Sequence, residues 1–320
     1  MAKKSYLLEL IISRLPELKG DEAVKLLNSC SYNMDSEISI KWLQDILSSK
    51  VKKNIKLDKM LIQAEKDSAA CKKLGIKMVS WEEAAYPPLL REIFDPPVIL
   101  FYRGCLPNPE KPMAAVVGTR KPSSGASSAA FNLGRELGFF GISVVSGLAM
   151  GIDSLAHRGN IEGRVPTVAV LGSSPEMIYP SSNRDLARRI LDTGGLILSE
   201  YWPGTSPRSW TFPRRNRIIS ALARGTVIIE APVSSGALIT ARFALEQNRD
   251  LWVHSIGVNS RRGGGTAKLA NDGAGVISSA SDIIDEWNII VPALNNESRD
   301  KDISGAGLAL SLAEYLDIKV

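Results

Sequence analysis

From Met113 onward the chain repeats one pattern: a short, continuously apolar, β-rich run, a turn marked by glycine, then a stretch with helical spacing. The runs predict strands over 114–117, 142–145, 167–171, 196–198, 227–229 and 251–253, and helices over 127–139, 151–159, 184–191, 215–223 and 238–247. Regular alternation of this kind argues for a parallel, doubly wound α/β sheet. Strands covered by helices on both faces are apolar throughout, whereas a strand with one wet face alternates. In such a sheet ligands bind beyond the carboxyl ends of the strands, where helix N-termini point unpaired N–H groups outward. Function is therefore to be sought in the turns that follow the strands.

The remainder of the chain divides around this domain, which is expected over 113–290. Residues 1–75 place Leu7, Leu8, Ile11, Ile12 and Leu15, then Ala23, Val24, Leu26 and Leu27, then Ile40, Leu43, Ile46 and Leu47 at helical spacing, which predicts a small all-helical domain. Residues 76–112 hold Pro87, Pro88, Pro96, Pro97, Pro107, Pro109 and Pro112. Each proline disfavours helix at the residue before it, so this stretch reads as an extended connector packing on the core. Residues 291–320 turn polar and end in one amphipathic stretch over 308–315, too short for a winged helix or any independent domain.

Composition excludes several classes. Hydrophobic residues at 44% and charged residues at 23% are ordinary for a globular chain and incompatible with a collagen-like, low-complexity or supercharged one. Cys30, Cys71 and Cys105 form no Cys-x-x-Cys pair, which speaks against a zinc or redox site and fits a reducing compartment. Glu9 and Arg14 interrupt the apolar stretch near the N-terminus, so it reads as an amphipathic helix and not as a signal peptide. No window approaches the roughly 20 apolar residues that span a bilayer. The expectation is a cytoplasmic protein without a membrane partner.

Net charge is +5, and the kind of base changes along the chain: 13 of the 14 bases in residues 1–75 are lysine, and 14 of the 15 in 112–257 are arginine. Arginine is favoured where a planar fork must grip phosphate or stack on a ring, although genomic composition also biases the ratio. The arginines gather at the turns. The first strand leads into Gly118, Thr119, Arg120 and Lys121, where glycine admits a ligand to the backbone and two cations can neutralise phosphate; a solvated strand-to-helix turn is the plain alternative. The second leads into Ser146 and Gly147, with Gly151 four residues on, a spacing that lets the loop fold tightly against a ligand, and Asp153 placed to cap the next helix. His157 follows without a partner at ligand spacing, which suits a buried, hydrogen-bonded imidazole. The densest feature is Phe212, Arg214, Arg215, Asn216 and Arg217, next to Trp210 and ahead of an apolar helix. Rings together with guanidinium forks suit single-stranded nucleic acid, because bases need a stacking face and phosphates need charge. Cations at a helix N-terminus oppose its dipole, a local cost that a bound anion offsets. Ser235 and Gly236 open the next helix, as an anion-holding turn or as a plain cap. The basic run from Arg261 to Thr266 reads as a flexible loop.

Absences narrow the chemistry. The chain lacks a Gly-x4-Gly-Lys-Ser/Thr phosphate loop, a Gly-x-Gly-x-x-Gly turn, a Gly-x-Ser-x-Gly elbow and any His/carboxylate set at metal spacing. The expectation is a site that binds, with no catalytic residue, no metal and no cofactor.

The ordered blocks from Trp81 to Ala280 resemble the DNA-processing protein A family, also called DprA or Smf. They include Tyr86-Pro87, Gly118-Thr119-Arg120, Ser146-Gly147-Leu148-Ala149 through Ala156-His157, Tyr179-Pro180, Ser199-Glu200, Phe212-Pro213 through Arg215-Asn216-Arg217, Glu230-Ala231, and Ser235-Gly236 through Thr240-Ala241. The resemblance implies an extended Rossmann-like domain that binds single-stranded DNA, loads the RecA recombinase onto it during natural transformation, and acts as a homodimer. It assigns Arg120, Phe212, Arg214, Arg215, Asn216 and Arg217 to the DNA pocket. The chain departs from the family pattern at Gly172-Ser173-Ser174-Pro175-Glu176, at Ser255-Ile256-Gly257 and in the glycine loop after Arg262. An enzyme of the phosphoribohydrolase type, acting on nucleoside monophosphates, remains the alternative, although Lys268 to Asn271 supply no carboxylate where its signature needs one.

Overall fold

The computed structural model describes residues 6–15, 18, 20–31 and 57–289. The helix expected over 40–47 and the tail from 291 lie outside them. The chain forms two compact units, one of Met1–Arg103, Ser173–Met177 and Leu198–Ser206, the other of Gly104–Gly172, Ile178–Ile197 and Pro207–Val320.

In the first unit, helices α1 (Leu7–Ile12), α2 (Asp21–Ser31) and α3 (Leu57–Leu74) precede β1 (Lys77–Ser80), the short α4 (Pro88–Arg91) and β2 (Ile99–Gly104). The helical spacing in the sequence corresponds to a shared core of Leu10, Ile11, Ile12, Leu26 and Leu27 with Cys71, Val98, Ile99 and Phe101. β1 runs antiparallel to β2, Lys77 opposite Tyr102 and Ser80 opposite Ile99. Prolines do not prevent structure here: Pro88 starts α4, where a fixed φ and a missing N–H are tolerated. Tyr86 closes the proline segment by donating to the Pro97 carbonyl at 2.8 Å.

The alternation read from the sequence runs through β3 (Met113–Val117), α5 (Ser124–Phe139), β4 (Ser143–Ser146), α6 (Ile152–Glu162), β5 (Val168–Leu171), α7 (Arg184–Asp192), β6 (Leu196–Ser199), α8 (Thr211–Leu222), β7 (Gly225–Ile228), α9 (Ala237–Glu246) and β8 (Asp250–His254), all in the second unit except Leu198 and Ser199 of β6. Short helices α10 (Ser255–Val258) and α11 (Gly264–Asn271), strand β9 (Gly275–Ile277) and helix α12 (Ala280–Glu286) follow. The strands order as β6-β5-β4-β3-β7-β8-β9. The pairs β3–β4, β4–β5, β3–β7, β7–β8 and β8–β9 are parallel. Together with the antiparallel β1–β2 pair, the described strands are mixed and mostly parallel. β3, β5, β6 and β7 are buried at every residue, which is why they read as unbroken apolar runs. β9 is three residues long with two exposed, and leaves no such signal. The chain winds outward from β3 through β6 and returns to β7 on the other side of β3. The switch point, where a crevice opens in this class of sheet, therefore lies between β3 and β7.

Candidate nucleic-acid interface

A cleft of about 980 Å³ opens at that switch point, and every residue lining it belongs to the second unit. The turn after β3 supplies Gly118, Thr119, Arg120 and Lys121. Gly118 is required there: a Cβ would collide with Ile152 and with the Glu230 carbonyl. The Thr119 N–H donates to that carbonyl at 2.8 Å, and the Lys121 N–H donates to Thr119 Oγ1 at 3.2 Å. With its backbone tied down, the turn leaves the side chains of Arg120 and Lys121 exposed.

The arginine block does not precede its helix. It is the helix: α8 begins at Thr211, four residues ahead of the start expected at 215, with Pro213 in the first turn, where its missing N–H costs nothing. Thr211 Oγ1 steadies this start by accepting from the Arg208 N–H at 3.1 Å and donating to the Arg208 carbonyl at 2.7 Å. Helical periodicity then sorts the block. Phe212, Arg215, Asn216 and Ile219 share the face that lines the cleft, while Arg214 and Arg217 are not among the lining residues. Arg217 is only 5% exposed.

Arg215 is also turned inward. Its Nη1 donates to the Gly147 carbonyl at 2.8 Å and to the Val170 carbonyl, and its Nε donates to Asn216 Oδ1 at 3.2 Å. The guanidinium thus ties α8 to the ends of β4 and β5: Arg215 lies in the cleft wall, 5% exposed, with its donors held by carbonyls. Gly147 is part of that arrangement, since a Cβ there would strike the guanidinium. Ser146 is fully buried and donates to the Val116 carbonyl at 2.7 Å. The structure places Ser146 and Gly147 behind the cleft wall. Asp153, read as a possible helix cap, instead accepts from the N–H groups of Gly147 and Ala149 at 3.1 and 3.4 Å. Burial raises its carboxyl, and the Arg215 charge pulls it back down. His157 is wholly buried with Nδ1 2.8 Å from Thr167 Oγ1. Burial, and then the Arg215 charge, push its imidazole down to about 3, so it is neutral at physiological pH.

Two rings stand in the cleft. Phe212 and Tyr179 have centroids 5.6 Å apart with planes tilted by 38°, and the Arg120 guanidinium lies 5.7 Å from the Phe212 centroid. Gly172 packs against the Phe212 ring: a Cβ there would fall 3.0 Å from the ring's Cδ1. Exposed Arg208 and Arg262 add two cations, and Arg262 Nη1 donates to the Lys121 carbonyl at 3.4 Å. At the start of α9, Ser235 Oγ accepts from the Ala237 N–H at 3.3 Å, and the Gly236 carbonyl accepts from Asn216 Nδ2 at 3.3 Å. Exposed Arg120, Lys121, Arg208 and Arg262 thus face a cleft whose only lining carboxylate is the buried Asp153.

Tyr179, Arg208 and Arg262 were not among the expected site residues. Tyr179 was visible only as part of a Tyr-Pro pair and Arg262 only as loop charge; Arg208, a lone base in a Pro/Ser stretch, gave no signal. The loop expected to be flexible from Arg261 to Thr266 is helical from Gly264. It is pinned to the end of β7: the Gly265 N–H donates to the Ala231 carbonyl at 2.8 Å, and Thr266 Oγ1 accepts from the Ala231 N–H at 2.7 Å.

Fold and site together define a Rossmann-like α/β protein with a cationic, ring-bearing cleft at its switch point. The family described as DNA recombination-mediator protein A matches residues 77–288. The DNA processing protein DprA of Bacillus subtilis is 33% identical over 285 residues, covering 83% of this chain and 96% of that protein. Protein Smf of Synechocystis is 39% identical over 228 residues, and the match spans 70% of this chain and 57% of that protein. The X-ray structure of DNA processing protein A from Streptococcus pneumoniae superposes with a TM-score of 0.73 at 31% identity, over 89% of this chain and 99% of that one. DNA processing protein A from Helicobacter pylori, whose structure describes a single-stranded DNA binding mode, gives a TM-score of 0.58 at 27% identity over 67% of this chain and 95% of that one. The chain belongs to the DprA/Smf family of DNA-processing proteins. Among the described residues, no helix is long and apolar enough to cross a membrane.

Proposed function

We propose that this chain binds single-stranded DNA in the β3/β7 cleft and acts as a non-enzymatic recombination mediator. In this reading it delivers RecA to the bound strand, works as a homodimer and resides in the cytoplasm. The observation that carries the DNA assignment is the Arg120–Phe212–Tyr179 cluster: an accessible ring pair with an unneutralised guanidinium beside it. Bases in a duplex hide their faces, whereas a single strand offers faces to stack and phosphates to neutralise. The exposed cations Lys121, Arg208 and Arg262 suit the backbone of the same strand.

Fluorescence anisotropy with labelled single-stranded and duplex oligonucleotides at several salt concentrations tests this. Log affinity for the single strand should fall with log salt by about 0.7 for each phosphate neutralised. An affinity insensitive to salt counts against the reading. Faster RecA filament assembly on DNA coated with a single-strand-binding protein supports the mediator step, and an unchanged assembly rate removes it. Release of free base from nucleoside monophosphates would instead favour the phosphoribohydrolase alternative, against which stands a helix α11 with no carboxylate from Lys268 to Asn271.

A further inference from the structure

Glu230 is fully buried two residues beyond Ile228, the last residue of β7, and it does not line the cleft. Its carboxylate nevertheless holds both basic loops that do. Oε2 accepts from the Ser123 N–H at 2.8 Å, and Oε1 accepts from Ser123 Oγ at 2.9 Å and from Ser260 Oγ. Its carbonyl takes the Thr119 N–H at 2.8 Å. Ser123 is the N-cap of α5 and ends the turn that carries Arg120 and Lys121. Ser260 Oγ in turn accepts from the Arg262 N–H at 3.1 Å. Two segments lying 107 and 30 residues from Glu230 thus meet on one carboxylate.

Packing alone does not call for this residue. Burying a carboxylate costs more than burying an apolar side chain of the same size unless its hydrogen bonds are satisfied. Among the described residues no cation pairs with Glu230; its partners are the amide and hydroxyls of the two loops. We infer that Glu230 is a positioning residue for the DNA site, fixing the turn of Arg120–Lys121 and the loop of Arg262 at one spacing so that their cations engage the same strand. The inference rests on the single-stranded DNA reading above.

The full chain is titrated with labelled oligothymidylate across a salt series. Ser260→Ala cuts only the tether to the Arg262 loop, at a partly exposed position. It should weaken binding about threefold to tenfold, the cost of ordering the Arg262 side chain once the tether at its base is lost, and lower the salt slope by about 0.7, one phosphate contact. Adding Arg262→Ala to Ser260→Ala should then change little, whereas Arg120→Ala should retain its full effect; contacts that act as a unit are non-additive. Glu230→Gln should blunt both arginine substitutions. A merely structural role would lower the melting temperature and leave slope and cycles unmoved. Native affinity and slope in Ser260→Ala, or an additive Ser260→Ala/Arg262→Ala cycle, would overturn the inference, and this holds even if Glu230→Gln fails to fold. If the unaltered chain does not bind the oligonucleotide, the proposed function fails and this inference with it. Binding by the unaltered chain alongside indifferent variants removes this inference alone.

Discussion

Each compact unit sets an arginine against an aromatic ring, and they differ in what else the arginine touches. In the first unit the Arg14 guanidinium lies 4.1 Å from the Trp202 ring centroid and is committed to Asp67, donating through Nε at 2.9 Å and Nη2 at 2.5 Å. The Trp202 indole is committed too, donating to Ser13 Oγ at 2.9 Å. Asp67 is 5% exposed and Arg14 26%. In the second unit Arg120 stands 5.7 Å from Phe212, exposed and with no carboxylate partner among the described residues. The same pair of side chains is closed in one place and open in the other. A neutralised cation on a capped ring fastens a core; an unneutralised one beside an accessible ring keeps its field and its stacking face for a ligand.

The largest effect that sharpens this contrast is on stability. Arg14→Ala leaves buried Asp67 without its counter-charge and should cost about 3 kcal/mol in a denaturant melt, with oligonucleotide affinity unchanged. Lost affinity in a folded Arg14→Ala chain would erase the distinction. Next, Phe212→Ala should remove roughly 1–3 kcal/mol of single-strand affinity by anisotropy, and unchanged binding would reduce the ring to packing. Arg120→Met, which keeps the aliphatic reach and drops the charge, should cost about 1.5 kcal/mol in affinity and reduce the salt slope with little change in melting. At physiological pH the smallest effect concerns the buried groups behind the cleft, and it emerges only as the pH falls. His157 sits at about 3 in the folded chain against 6.5 unfolded, so the unfolded state binds more protons between those values. Its contribution is complete above pH 6.5 and is lost as pH falls through that window, by about 1.4 kcal/mol per pH unit. Asp153, whose carboxyl is raised, works in the opposite sense. The His157 part is therefore the difference in slope between the native chain and His157→Gln, and equal slopes would contradict it.

The sheet was legible because its central strands are buried on both faces and burial writes a continuous apolar run. The place of the candidate cleft was legible from turns in which glycine adjoins base. Its membership was not. Three arginines in four residues look equivalent in the sequence, yet a helix that starts at Thr211 presents Arg215 to one face and Arg214 and Arg217 to others. Whether Arg215 meets solvent depends on the Gly147 and Val170 carbonyls, 68 and 45 residues away. Arg208 lines the cleft with its backbone fastened by Thr211 to the start of α8, a contact the sequence does not announce. Composition reports charge; only tertiary contacts say which charges are already spent.

Photocrosslinking tests the contrast between closed and open sites most directly. A single-stranded oligonucleotide carrying 5-iodouracil, irradiated with the full chain and mapped by mass spectrometry, should attach at Phe212 or Tyr179. Attachment confined to Trp202 or its neighbours in the first unit, with none at the cleft rings, would contradict the account.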